Sequence, residues 1–177
     1  MNKVRIIDYR PEHQPYFDFL NRDWIEKYFR MEAIDEYVLT NPGEAILQPG
    51  GAILMATYEG HLTGTVALKK VDDTIYEFTK MAVHENFRRR GIAEELSYGA
   101  FRKAYELGAD KIILYTNSIL KPAIKLYEKL GFHHEELEKG GYKRADVKMS
   151  IAMEKILRNT MYFTFTTQEI SLWYRNK

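Results

Sequence analysis

Apolar and polar residues alternate from Val4 to Tyr9, a period of two that predicts an opening strand. Pro11 then suits the first turn of a helix running to about Phe29, and a shorter helix is expected over Met31 to Leu39. Turn chemistry follows at Asn41-Pro42-Gly43 and Pro49-Gly50-Gly51. Between Gly51 and Val71 the pattern gives two strands joined across Glu59-Gly60-His61, and a third strand-like run, Tyr76 to Val83, comes after Asp72-Asp73-Thr74. The period then changes. Ile92, Leu96, Ala100, Ala104 and Leu107 fall on one face of a helix that Gly108 is placed to end. Ile112 to Thr116 reads as a buried strand, a helix follows with Pro122 near its start and Gly131 at its end, and Phe132–Leu137 and Asp146–Met153 read as a closing strand pair. Strands and helices in this order predict an α+β fold, a mixed sheet flanked by helices.

The most informative stretch is Arg88-Arg89-Arg90-Gly91-Ile92-Ala93, where the third strand gives way to the helix that opens at Ile92. Backbone N–H groups without intrahelical partners gather at a helix start, on the positive end of the macrodipole, and suit a phosphate. Gly91 permits close approach, and arginine forks match phosphate oxygens. A solvated basic turn capping a helix is the plainer reading. The spacing is neither the dinucleotide fingerprint Gly-x-Gly-x-x-Gly nor the P-loop Gly-x-x-x-x-Gly-Lys-Ser/Thr, so nicotinamide and nucleoside-triphosphate readings lose their support.

What remains is Arg-x-x-Gly-x-Ala, followed after the next strand by Leu126-Tyr127-Glu128-Lys129-Leu130-Gly131-Phe132. Two motifs in this order and on these elements resemble the GNAT superfamily of N-acetyltransferases, strongly from about Gly51 to Phe132 and more loosely from Val4 to about Glu154. The resemblance implies a GNAT-like fold with a mixed, mostly antiparallel central sheet of about seven strands. It implies acetyl-CoA as co-substrate, its pyrophosphate on the loop of Arg88, Arg89, Arg90, Gly91, Ile92 and Ala93. The backbone of Met81, Ala82 and Val83 is implied to pair with pantetheine and the acetyl carbonyl, one N–H acting as oxyanion donor. Asn117 either reaches the cofactor or caps the following helix. Leu120 departs from the pattern, which often has Asn there.

Two side chains are catalytic candidates on the same resemblance. Tyr127 would protonate the departing thiolate: a thiol has a pKa of about 8.5 and a phenol about 10, so the phenol keeps its proton at neutral pH. Its plainer role is a core tyrosine on the face of Ala123 and Leu130. Glu77 would take the proton of the attacking amine, whose lysine-like pKa near 10.4 keeps it an ammonium at pH 7. The alternative is a strand glutamate paired with Lys80 or Lys69. Trp24, Tyr28, Tyr142 and Arg144 lie where the family shapes its acceptor site. Glu32, Asp35 and Glu36 add carboxylates there that would suit a cationic amine.

Composition narrows the rest. A chain of 177 residues, 45% apolar, can bury a sizeable core as one domain, read here as residues 1–156, with 157–177 as an extension packed on the domain or on a dimer partner. In that extension Met161 to Thr167 has strand propensity and Ile170 to Tyr174 is apolar. The absence of cysteine excludes disulfides, Cys-based metal sites and a cysteine acyl carrier, so acyl transfer should be direct, and no metal is expected. His133 and His134 alternate across a strand and do not converge on one ion. A formal charge of +1 argues against general nucleic-acid affinity, and no apolar run approaches a membrane span or signal core, so a cytoplasmic enzyme is expected. The expected function is N-acetyltransfer from acetyl-CoA to a primary amine, of a small molecule or a peptide. The alternative is a noncatalytic acyl-CoA-binding or regulatory module.

Overall fold

The computed structural model describes residues 3–138, 143–159 and 165–176. Seven strands form one sheet, β1 Val4–Asp8, β2 Ala52–Tyr58, β3 His61–Lys70, β4 Ile75–Val83, β5 Lys111–Thr116, β6 His133–Glu135 and β7 Val147–Ala152. Their spatial order is β1-β2-β3-β4-β5-β7-β6, and all neighbours run antiparallel except β4 and β5. The mixed, mostly antiparallel seven-stranded α+β sheet expected from the sequence is therefore the one observed.

The helices are α1 Gln14–Tyr28, α2 Ala33–Thr40, α3 Ile92–Glu106, α4 Lys121–Lys129, α5 Met153–Arg158 and α6 Thr167–Arg175. A 3₁₀ turn over Pro11–His13 precedes α1, so the helix expected from Pro11 starts three residues later. Glu59 and Gly60 take left-handed backbone angles (φ 51° and 86°), and the tight β2–β3 turn they make pairs Tyr58 with His61.

Two cores lie on opposite faces of the sheet. One joins Leu96, Ala100, Phe101 and Ala104 of α3 to Leu68, Phe78, Ile112 and Leu114 of the strands, with Tyr127 and Leu130 at the end of α4. The other joins Phe17, Leu20 and Ile25 of α1 and Val38 and Leu39 of α2 to Ile53, Met55 and Ala82. Helix α3 lies so close to the sheet that a Cβ on Gly99 would come within 2.9 Å of Ile6 Cγ2. This close packing fixes the height of the α3 N-terminus over the end of β4, where the arginine loop sits.

Of the stretch with strand propensity in the C-terminal extension, Met161 to Thr164 lie outside the described residues. The apolar stretch Ile170 to Tyr174 belongs to helix α6, which begins at Thr167. The reason is a capping box: the Thr166 hydroxyl accepts from the Glu169 N–H at 3.2 Å, and the Glu169 carboxylate accepts from the Thr166 N–H at 2.7 Å. Helix α6 then lies against α3, with Arg102 paired to Glu169 at 2.7 Å and the Tyr105 ring 4.9 Å from Phe165. Among the described residues no helix is long and apolar enough to cross a membrane.

Candidate active site

The site is made by a fault in the sheet. Strands β4 and β5 pair only at Ile75, Tyr76 and Glu77 against Lys111, Ile112 and Ile113. Beyond Glu77 they part, while β4 stays paired to β3 and β5 to β7. The cause lies on β4: Thr65 faces Ala82 and Ala67 faces Thr79, so two residues, Lys80 and Met81, stand opposite Val66 alone. Lys80 takes φ 52°, the left-handed region that a side chain with a Cβ rarely adopts. This bulge turns β4 away from β5 and opens a cleft of about 640 Å³.

Phe78 to Val83 form one wall of the cleft and Tyr115 to Asn117 face them. At one end lies the loop into α3. Arg89 and Gly91 both have left-handed backbones (φ 59° and 77°), and α3 starts at Ile92 with no side chain capping it. Its first N–H groups are therefore left to a ligand or solvent. Arg88, Arg89, Gly91, Ile92 and Ala93 line the cleft, but Arg90 does not. Its guanidinium lies over the rings of Tyr58 and Phe87, at 5.0 and 5.5 Å.

Met81, Ala82, Val83, Asn117 and Tyr127 also line the cleft. Tyr127 is held edge-on between Phe78 and Phe132, each with its ring centre 5.9 Å away, and burial pushes its phenol well above the ordinary range. Its hydroxyl makes no hydrogen bond to the described residues. Asn117 accepts from the Ile119 N–H at 3.0 Å and donates to the carbonyl of Arg144, so it caps the turn before α4 and ties β5 to the loop carrying Arg144. Leu120 is the residue preceding α4 and makes no side-chain cap.

Glu77 is placed apart from this group. It is buried on β4, in register with Lys69 of β3, and is not part of the cleft wall. Burial raises its pKa, and the charges of Lys69 and Lys80 only partly counter that. The folded protein therefore holds this proton to higher pH than the unfolded chain, and ionising it costs stability as pH rises above its ordinary value. Glu77→Gln is expected to raise the thermal midpoint at pH 7 and to leave it nearly unchanged at pH 4. Calorimetric scans at the two pH values check this; a variant less stable at pH 7 would contradict it.

At the other end of the cleft, Trp24, Tyr28 and Phe29 from the end of α1 form an aromatic wall with Lys80 and Arg144. The Arg144 guanidinium lies 5.8 Å from the Phe29 ring centre. Tyr142 lies outside the described residues. Behind the wall is an ion cluster that periodicity alone did not reveal. Asp35, fully buried, accepts from Lys80 Nζ at 3.0 Å and from both terminal nitrogens of Arg144, one at 2.8 Å. Burial pushes the Asp35 carboxyl up, but the Arg144 hydrogen bonds and the Lys80 charge together outweigh it and hold the group below the usual carboxylate range. Glu32 accepts from the backbone N–H groups of Lys143 and Arg144. Glu36 pairs with Arg22 at 2.7 Å. The three acids expected to attract a cationic amine thus already have partners within the protein, Asp35 buried and Glu36 at the surface, and none of them lines the cleft.

A family model described as "Acetyltransferase (GNAT) family" matches residues 9–132, and the chain belongs to that family. Among relatives, it is 36% identical over 107 residues to Uncharacterized N-acetyltransferase YjgM of Escherichia coli (strain K12), a match over 58% of this chain and 64% of that protein. It is also 36% identical over 88 residues to N-acetylaspartate synthetase of Xenopus tropicalis, over 49% of this chain and 32% of that protein. The chain thus spans less than two thirds of the length of these relatives. Among solved structures, an acetyltransferase of GNAT family from Staphylococcus aureus MU50 superposes with a TM-score of 0.77 at 19% identity, covering 85% of this chain and 99% of that one. Spermidine N-acetyltransferase from Vibrio cholerae, in complex with CoA and spermine, superposes with a TM-score of 0.69 at 19% identity, covering 89% of this chain and all of the other. Likeness at this identity speaks for the fold.

Proposed function

We propose that the protein transfers an acetyl group from acetyl-CoA directly to a primary amine, and that the cleft between the splayed strands is where this happens. The observation that carries the reading is the continuity of one cleft from Arg88, Arg89 and the open start of α3, along the β4 edge, to Tyr127 and then to the wall of Trp24, Tyr28 and Arg144. Acetyl-CoA needs such a sequence of surfaces: phosphate donors, a narrow apolar passage, and a polar group at the thioester. When bound, it supplies the activated acetyl group.

The residues of the chain then divide the work. Arg88, Arg89 and the N–H groups of Gly91, Ile92 and Ala93 hold the pyrophosphate; Arg90, stacked on Tyr58, shapes the loop from behind. Met81, Ala82 and Val83 offer the β4 edge to pantetheine and to the thioester carbonyl, where one N–H steadies the developing oxyanion. Asn117 holds the opposite lip by its bond to the Arg144 carbonyl. Tyr127, with its pKa raised by burial, remains a phenol at all working pH values. Full proton transfer from such a phenol to a thiolate of pKa about 8.5 runs uphill, so its contribution is a hydrogen bond to the departing sulphur as charge builds there. The proton lost by the amine can then neutralise the thiolate. Glu77, away from the wall, acts on that amine only through water and not by contact. Positioning and charge stabilisation suffice, with no covalent enzyme intermediate.

The test is release of CoA in the presence of candidate amines, followed with a thiol reagent, with the amide identified by mass spectrometry. Because the chain has no cysteine, the reagent reports only CoA. CoA release with a matching amide is expected. Tight acetyl-CoA binding without amide from any amine would favour the noncatalytic acyl-CoA-binding alternative.

A further inference from the structure

We infer that the amine acceptor carries a carboxylate and that Arg144 recognises it, an inference that rests on the acetyltransfer reading above. The aromatic end of the cleft is unequal in charge. Lys80 and Arg144 line it, whereas Glu94 is the only carboxylate among the described lining residues. Glu94 belongs to α3, at the arginine-loop end, and its carboxylate is taken by Lys129 at 2.7 Å. Residues 139–142, which precede Lys143 and Arg144 in the chain, read Lys-Gly-Gly-Tyr and bring no acid.

The acids that balance the two cations stand behind them. The Asp35 side chain is wholly buried, and Glu32 is spent on the backbone N–H groups at 143 and 144 and on the Arg144 side chain. A ligand in the cleft therefore meets the positive side of each pair first. A polyamine would bring like charge against that surface and find no carboxylate to replace its water, which disfavours it. A carboxylate finds the reverse.

Arg144 is also prepared for the task. Asp35 grips both terminal nitrogens, Glu32 lies 3.4 Å from one of them, and the guanidinium rests beside the Phe29 ring. A guanidinium locked this way keeps its charge and loses little freedom when a ligand arrives. With 15% of its side-chain surface exposed, it is the more accessible of the two cations; Lys80 has 3%. Trp24, Tyr28 and Phe29 offer apolar surface to the carbon body of such an acceptor. The acceptor class is thus an amino acid or a similarly short amino-carboxylate.

The experiment compares L-amino acids with their carboxamides, their decarboxylated amines and spermidine, reading kcat/KM by CoA release and amide mass. The best amino acid is expected to exceed its own carboxamide and spermidine by about tenfold or more. Arg144→Lys, which keeps the charge for Asp35 but loses the fork, is expected to raise KM for that amino acid about tenfold, with kcat and KM for acetyl-CoA changed far less and KM for the carboxamide unmoved. Carboxamides or spermidine used as well as the acids would overturn the inference. So would acetyl-CoA binding with no acetylation of any amino acid. Failure to bind acetyl-CoA at all would instead bring down the acetyltransfer reading, and this inference with it.

Discussion

Asp35→Ala is expected to cost about 3–5 kcal/mol of folding free energy, the usual penalty for removing one partner of a buried ion pair. Asp35 is the shared partner of Lys80 and Arg144, and its removal leaves an ammonium with almost no solvent contact and a guanidinium with little. Replacing the pair as a whole should be milder, so Asp35→Leu with Lys80→Met is expected to recover part of the loss. Urea titrations of the single and double variants give these differences. A loss below about 1 kcal/mol for Asp35→Ala would mean that the cluster is solvated and contributes no more than a surface pair. The pH dependence follows from the lowered carboxyl: Asp35 adds stability above the unfolded-chain pKa and loses that contribution as pH falls through its folded value. Asp35→Asn should therefore flatten the acid limb of the stability profile.

The same cluster links the two halves of the site. Lys80 is at once the left-handed bulge residue that separates β4 from β5 and the partner of Asp35 on α2. Lys80→Gly should keep the bulge, lose the pair and relieve backbone strain of about 1 kcal/mol; Lys80→Ala loses the pair and keeps the strain that Lys80 already bears. The glycine variant should accordingly be the more stable of the two.

The largest effect on rate is expected from Tyr127→Phe. With the donor to sulphur gone, kcat should fall by about a hundredfold, while acetyl-CoA affinity changes by less than about threefold. Stability should hold or rise slightly, since the hydroxyl has no hydrogen-bond partner among the described residues and the ring stays between Phe78 and Phe132. Steady-state kinetics beside a calorimetric titration separates the two readouts. Full retention of kcat would return Tyr127 to the role of a core residue.

Much of this was legible in the chain. Alternation and helical period gave the strand and helix order, because each sheet face and the inner face of α3 must be apolar to pack. The arginine loop was visible because left-handed turns favour glycine and phosphate donors favour arginine. What stayed hidden depends on partners far apart in sequence. Nothing local marks Lys80 as a bulge residue, since the bulge is set by the register against β3 and its side chain is held by Asp35, 45 residues away. Asp35 and Glu32 read as carboxylates for a cationic amine, whereas their partner is Arg144, more than a hundred residues on. Glu77 looked like an ordinary strand glutamate or a base, and only the folded sheet shows it buried outside the cleft. Helix α6 was not anticipated, although its Thr166-x-x-Glu169 capping box stands in the sequence just before the apolar stretch Ile170 to Tyr174.

Binding of acetyl-CoA in the splayed cleft through the Arg88–Ala93 loop is best measured by calorimetric titration, with dephospho-CoA, ATP and NAD as comparisons and an Arg88→Ala, Arg89→Ala variant alongside. One site per chain with micromolar affinity for acetyl-CoA is expected, selective over ATP and NAD, weakened about tenfold or more in the double variant and unaffected by Arg90→Ala beyond a small change. No binding to the intact protein, or equal binding after the two cleft arginines are removed, would contradict it.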